Sequence, residues 1–304
     1  MNADAVSISL SGLTALQQQV RLLRLRPLQQ AAHLAGAHRS RLRGRGMEFD
    51  EVRVYQPGDA ISSIDWKVTA RKNTPHIKLF REERERPLLL CLDYRPSMLF
   101  ATRGRLKAVQ ASHMAALLAW AGIGKGDRLG GLIFSATGHE EMRPARGRKA
   151  VLHWLHRCCH APVWSQGRDQ HAPADALQQS LLRLRRLARP GTTVVFLSDF
   201  RGLDASCRQQ LLSLARHCQC LLCCLYDPLE KHLPASNQYR IHDGSTHFVM
   251  DASDLRLQAQ VLQGFEQRQA CLQQLCQHEN LHLLPLATDD SPLDVLKSSG
   301  WWSQ

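Results

Sequence analysis

Two acids stand where an open parallel sheet does its binding. Asp93 follows the apolar run Leu88 to Leu92 and opens Asp93-Tyr94-Arg95-Pro96-Ser97-Met98; Asp199 ends the run Thr193-Val194-Val195-Phe196-Leu197-Ser198. Ligands of such sheets bind outside the carboxyl ends of the strands, so both carboxylates can face one crevice. The competing role for each is to cap the loop or helix that follows its strand. No Gly-Xaa-Ser-Xaa-Gly elbow occurs and no short spacing marks an activated nucleophile. A metal-dependent hydrolase built on Asp93 and Asp199 would therefore lack a nameable base, nucleophile and full ligand set.

Three other clusters invite chemistry and resolve into structure. His217, Cys218, Cys220, Cys223 and Cys224 suggest zinc, but Leu221, Leu222, Leu225 and Tyr226 make the run a buried strand whose alternation sends the thiols to both faces. Cys158, Cys159 and His160, with His153 and His156, are separated by helical phase. Gly122 to Asp127 looks like a phosphate loop, yet it has no Ser or Thr after Lys125 and follows a helix instead of a strand.

The elements that must position Asp93 and Asp199 alternate along the chain. Strands are expected at 88–93, 128–134, 192–197, 220–226 and 281–286, with helices at 104–121, 149–159, 174–188, 205–217, 253–277 and from Pro292. Continuous apolar strands separated by helices predict a parallel sheet covered on both faces. A short polar hairpin is expected near 239–250. Before this region, Leu at 13, 16, 22, 23, 25, 28 and 34 predicts one amphipathic helix over 10–35. Residues 37–45 interleave Arg with Gly and Ser as a linker or mobile arm. Residues 48–80 form a small β-rich piece around the turn Gln56-Pro57-Gly58-Asp59.

The chain has 304 residues, 44% hydrophobic and 22% charged, which excludes disorder and disulfide-stapled mini-domains. Its formal charge is +12, and residues 1–46 hold seven Arg against one acid, so half of the excess is N-terminal. Such a segment can attract phosphate or acidic protein surface. Ten dilute cysteines, no secretory leader and no apolar window of the roughly 18 residues a span needs predict a soluble cytoplasmic chain without a transmembrane segment.

The run Gly46-Met47-Glu48-Phe49, Val52-Arg53, Tyr55, Pro57-Gly58-Asp59, Ile64-Asp65-Trp66-Lys67, Ala70-Arg71 resembles the N-terminal signature of the domain of unknown function 58 family. Asp93 to Met98, Gly126 to Gly130, Ser198-Asp199-Phe200, and Tyr226-Asp227-Pro228-Leu229-Glu230 with Leu233-Pro234 resemble the family in order and spacing. The resemblance implies a small β-rich subdomain (46–86) and a von Willebrand factor A-like, doubly wound, mostly parallel α/β domain with helices on both faces (87–304), and the basic N-terminal helix and arm (1–45) precede the region it covers. It also implies a non-enzymatic role beside a MoxR-type AAA+ ATPase, in chaperone-like assembly or metal insertion. Asp65, Trp66, Lys67 and Arg71 are then expected to hold the small subdomain against the A-like domain, with Trp66 as a buried anchor and Arg53 or Arg71 pairing Asp59 or Asp65; a partner surface is the alternative.

A-like domains hold a divalent ion through Asp-x-Ser-x-Ser, a Thr on a second loop and an Asp on a third. Asp93, Ser97 and Asp199 match three of these positions. Arg95 replaces the first Ser, and the Thr position falls on His171. A guanidinium has donors only and cannot ligate a cation, whereas Mg²⁺ wants oxygen ligands. Arg95 could instead set its fork between Asp93 and Asp199, giving a degenerate site without metal or other cofactor; weak Mg²⁺ binding is the alternative. The expected function is a protein-binding scaffold without substrate, its crevice formed by Asp93, Arg95, Ser97 and Asp199. Binding of nucleic acid or an anionic membrane through residues 21–45 is the rival, disfavoured for nucleic acid because the arm has no aromatic stacking residues.

Overall fold

The computed structural model describes residues 3–20, 24–25, 47–56, 59–82, 87–124, 126–166, 171–232, 238–242, 247–251, 253–300 and 302–303. Two compact units are formed, one by Met1–Leu28 with Arg86–Gln304 and the other by Gln29–Glu85. Along the chain the first elements are α1 (Ala3–Val6), α2 (Leu10–Val20) and β1 (Arg24–Leu25). The smaller unit contributes β2 (Met47–Val54), α3 (Trp66–Lys72) and β3 (His76–Glu82). The larger continues with β4 (Pro87–Tyr94), α4 (Lys107–Gly124), β5 (Arg128–Ser135), β6 (His139–Arg146), α5 (Gly147–Cys159), α6 (Val163–Gln166), α7 (Ala176–Leu187), β7 (Thr193–Ser198), α8 (Ala205–Ala215), β8 (Gln219–Tyr226) and α9 (Pro228–Lys231). It ends with the hairpin β9 (Gln238–His242) and β10 (His247–Asp251), then α10 (Leu255–Leu275), β11 (Leu281–Ala287), α11 (Pro292–Ser298) and β12 (Trp302–Ser303).

Six strands make one sheet in the order β11-β8-β7-β4-β5-β6, parallel except for the antiparallel edge strand β6. Numbered by appearance, this is a 3-2-1-4-5-6 sheet. Its order reverses between β4 and β7, where side chains at the carboxyl ends meet. Successive strand residues enter separate cores: Leu88, Leu90 and Leu92 pack with α4 and α5, and Leu89 and Cys91 pack with α7 and α8. The continuous apolar runs follow from burial on both faces. Each fully buried Leu contributes about 1.5–3 kcal/mol.

Strand β5 fits this packing only because position 131 has no side chain. A Cβ on Gly131 would lie 2.3 Å from the Leu90 carbonyl oxygen and 2.6 Å from the ring of Trp154, itself fully buried on α5. The sequence reading has no strand at β6, whose His139-Glu140-Glu141-Met142-Arg143-Pro144-Ala145-Arg146 is largely exposed. Charges and a Pro are devices of an edge strand, which hides it from an apolar-run criterion.

Of the helix expected over 10–35 the structure describes Leu10–Val20, and Arg24–Leu25 are instead strand β1. Leu13 and Val20 are buried against α4, and the Trp120 indole nitrogen donates to the Leu13 carbonyl at 3.1 Å. α2 thus completes the cover over α4, a helix buried on nearly every side. The arm at 37–45 lies outside the described residues. No helix among the described residues is long and apolar enough to cross a membrane.

In the smaller unit β2 and β3 pair antiparallel, placing Glu48 opposite Arg81 and Phe49 opposite Phe80. Arg53 pairs with Asp59 at 2.7 Å, and the Tyr55 amide donates to the Pro75 carbonyl. Asp65 caps α3 by accepting from the Lys67 and Val68 amides. Trp66 is 68% exposed. α3 has no buried residues. Arg71 lies exposed in the last turn of α3, and Pro57 and Gly58 lie outside the described residues.

Candidate functional site

Asp93 is the penultimate residue of β4 and Asp199 follows β7, the two strands flanking the reversal point. Both acids are fully buried, and Arg95 is 7% exposed. The Arg95 guanidinium forks onto Asp93: Nε lies 3.0 Å from each carboxylate oxygen and Nη2 lies 2.7 Å from Oδ2. Nη2 also stands 3.6 Å from Asp199 Oδ1, and Nη1 donates to the Arg201 carbonyl at 2.9 Å. The Ser198 hydroxyl donates to Asp93 Oδ2 at 2.6 Å and in turn accepts from the Phe200 amide.

Asp199 has a second cation. Lys107 Nζ, fully buried at the start of α4, lies 3.1 Å from Asp199 Oδ2 and 2.8 Å from Glu230 Oε1. A lysine in the first turn opposes the helix dipole, so its burial there depends on these carboxylates. Arg201 closes the network from the half-exposed side, with Nη2 2.7 Å from Glu230 Oε1 and Nε 3.6 Å from Asp199 Oδ2. Three acids and three bases balance, as buried ions must. Burial alone would raise the Asp199 pKa, but Lys107, Arg95 and Arg201 outweigh it and hold the group well below the usual carboxylate range.

Phe200 makes this geometry possible at a cost. Its φ is 52°, left-handed for a residue with a side chain, which costs about 1–3 kcal/mol. Packing of its ring 5.4 Å from that of Phe196 and the bond to Ser198 hold the kink, which brings Arg201 back over Asp199 and Glu230.

Beside the ions, Asp227 ties three loops together. It accepts from the Thr102 amide and hydroxyl at 2.7 and 2.6 Å, from the Thr288 hydroxyl at 2.9 Å and from the Leu229 amide at 2.9 Å. Glu230 returns the cap to the Asp227 amide, so the α9 capping box also orients the carboxylate that holds Lys107 and Arg201.

The donor set does not suit Mg²⁺. Every carboxylate oxygen of Asp93 and Asp199 already faces a cation, a hydroxyl or an amide, and an octahedral ion would have to displace Arg95 or Lys107. Ser97 is half-buried in the turn Pro96–Met98 and is not among the groups bonded to Asp93; His171 is exposed in the loop before α7 and makes none of these contacts. The structure brings Asp93, Arg95 and Asp199 together and leaves those two out. Among the described residues no three His, Cys, Asp or Glu side chains form a metal cluster. The ten cysteines are free, with Cys223 in one core and Cys220 and Cys224 in the other. Burial raises the Cys218 thiol to about 11.

The family model described as "Protein of unknown function DUF58" matches residues 51–271. The chain belongs to the DUF58 family. "Uncharacterized protein Mb1516" of Mycobacterium bovis and "Uncharacterized protein Rv1480" of Mycobacterium tuberculosis are each 31% identical to it over 223 residues, 72% of this chain and 68% of theirs. Among solved structures, conserved hypothetical protein BatB from Bacteroides thetaiotaomicron (14% identity, TM-score 0.43) and an aerotolerance-related membrane protein from Bacteroides fragilis (16%, 0.43) each cover 71% of this chain and are themselves covered over 96%. Asp93, Arg95, Lys107, Asp199, Arg201, Asp227 and Glu230 all fall within the DUF58 match.

Lys107, Arg201 and Glu230 were not legible as site residues. Lys107 carried one signal, a lone charge opening a strongly apolar helix, and Glu230 another, its place in Asp227-Pro228-Leu229-Glu230.

Proposed function

We propose that this DUF58 protein is a non-enzymatic protein-binding scaffold, its larger unit a von Willebrand factor A-like domain, working in the cytoplasm with a MoxR-type AAA+ ATPase. One observation carries the non-enzymatic reading: the two acids best placed for chemistry have all their oxygens engaged by neighbouring side chains and amides. They act as a clamp. Asp93 and Arg95 fix the loop after β4, Asp199 and Arg201 the loop after β7, and Glu230 the loop after β8. Loops locked on a rigid sheet suit recognition of a preformed partner surface. The sheet order with its antiparallel edge supports the A-like assignment, and the resemblance of the signature motifs supports the ATPase partner.

The test is co-elution and ATPase rate with a purified MoxR-type ATPase of the same organism. Wild type is expected to bind and to change the rate, and Arg95→Ala to weaken both. Absence of any complex with folded wild type would sink the proposal.

A further inference from the structure

A groove of about 440 Å³ opens beside the network, between the loop 200–204 and α10. Arg201, Leu203, Asp204, Gly264, Gln267 and Arg268 line it. Arg201 is half-exposed although two acids hold it. Arg268 stands over the Phe265 ring, 5.9 Å from its centroid. Asp204, the acid at this wall, has Oδ1 committed to the Cys207 amide at 2.7 Å as the cap of α8. The groove therefore presents the Arg268 guanidinium, beside the half-exposed side of an Arg201 whose Nε and Nη2 already face Asp199 and Glu230, against the Asp204 carboxylate. Gly264 leaves the α10 wall open, since nothing lies within 4 Å of where its Cβ would be.

We infer that this groove receives an acidic segment of the protein partner, an Asp or Glu carboxylate held by the Arg268 fork beside Arg201, with a neighbouring apolar side chain over Leu203 and Gly264. Guanidinium forks match carboxylates in two-point hydrogen bonds. The volume suits two or three side chains, and the mixed lining favours a peptide over a free anion, which would leave the apolar part unused. The inference rests on the protein-binding reading above and names the surface and the chemistry it recognises.

The test is a fluorescence titration of the full chain with a labelled octapeptide alternating Glu and Leu. Arg268→Gln removes one fork; Gly264→Phe fills the groove without changing charge and replaces a poor helix former. Each is expected to weaken binding by about tenfold or more, with Lys297→Gln, an equal charge loss at an exposed residue of α11, within about twofold of wild type. Equal binding of the Gln and Leu counterpart, equal behaviour of Arg268→Gln and Lys297→Gln, or displacement by inorganic phosphate as effective as by unlabelled peptide would overturn it. If the ATPase co-elutes with wild type and survives Arg268→Gln and Gly264→Phe unchanged, the groove is refuted while the scaffold reading stands. If wild type captures no ATPase, the scaffold reading fails, and the peptide titration alone decides the groove.

Discussion

Arg95 Nη2 rests 2.7 Å from Asp93 Oδ2, while the Arg95 backbone amide donates to Asp93 Oδ1 at 2.9 Å. One carboxylate thus holds the same residue by its main chain and by its side chain, closing the loop after β4 on itself.

Removing the arginine leaves that carboxylate buried without its main cation. Arg95→Ala is expected to cost about 3–5 kcal/mol, the range for breaking one partner of a buried pair. Asp93→Leu with Arg95→Met removes both charges and should recover most of the loss. Urea unfolding of the four proteins of the cycle measures it. A double variant as unstable as the single would show that Arg95 acts through packing instead of charge.

Lys107 joins Asp199 to Glu230, so the two acids should be coupled through it. Lys107→Met keeps the stem and removes the ammonium, and a loss of about 3 kcal/mol or more is expected because Asp199 and Glu230 then rely on Arg95 and Arg201. Adding Glu230→Gln to Lys107→Met should cost less than adding it to wild type. Additive effects in thermal unfolding would contradict the coupling.

How far the sequence reached can be judged at these residues. Apolar runs located β4, β7, β8 and β11, because burial on both faces writes itself as continuous hydrophobicity, and Asp93 and Asp199 followed from the strand ends. The Arg95 pairing was legible from valence: a donor-only group stood beside acids. Lys107 was not, since its partners Asp199 and Glu230 lie 92 and 123 positions away and no local pattern encodes such separations, and the 2.7 Å partner of Arg201, Glu230, lies 29 positions away although Asp199 is two residues before it. The strand at Arg24–Leu25 was missed because Leu spacing continues through it.

Gly131 is a close-approach position. Gly131→Val would drive a branched side chain into the Leu90 carbonyl and the Trp154 ring, and a cost of about 1–3 kcal/mol or more is expected from overpacking. Val at Gly138, where nothing lies within 4 Å, serves as the comparison and should cost less in the same denaturation assay. Equal losses would mean that the lost backbone freedom of glycine, and not overpacking at position 131, governs both.

Asp227 predicts an acid dependence. Burial would raise its pKa, but the Thr102 hydroxyl and amide, the Leu229 amide and the Thr288 hydroxyl bond the ionised form and hold it below 3.8. A depressed value in the folded state means stability that is complete above the unfolded pKa and lost as pH falls through the folded one. Asp227→Asn should therefore be less stable than wild type at about pH 7, with the difference shrinking below about pH 4. A constant difference across that window, measured by urea midpoints, would assign the effect to packing.

Metal dependence should be absent in wild type and inducible. With Arg95 on Asp93 and Lys107 on Asp199, Mg²⁺ has no pair of open carboxylate oxygens, so the thermal midpoint of chelator-treated protein should not move when the ion is added. Arg95→Ser frees the Asp93 oxygens and supplies a hydroxyl, which makes two oxygen donors where a cation stood. Mg²⁺ at ten times its dissociation constant would then stabilise the variant by about 1.4 kcal/mol. For a domain of this size each kcal/mol raises the midpoint by roughly 2–4 °C. Lys107 and Arg201 still hold Asp199 in the variant, so the response should grow when Lys107→Met is added. A Mg²⁺ response in wild type that disappears in Asp93→Ala would establish a metal site there and refute the clamp as the resting state.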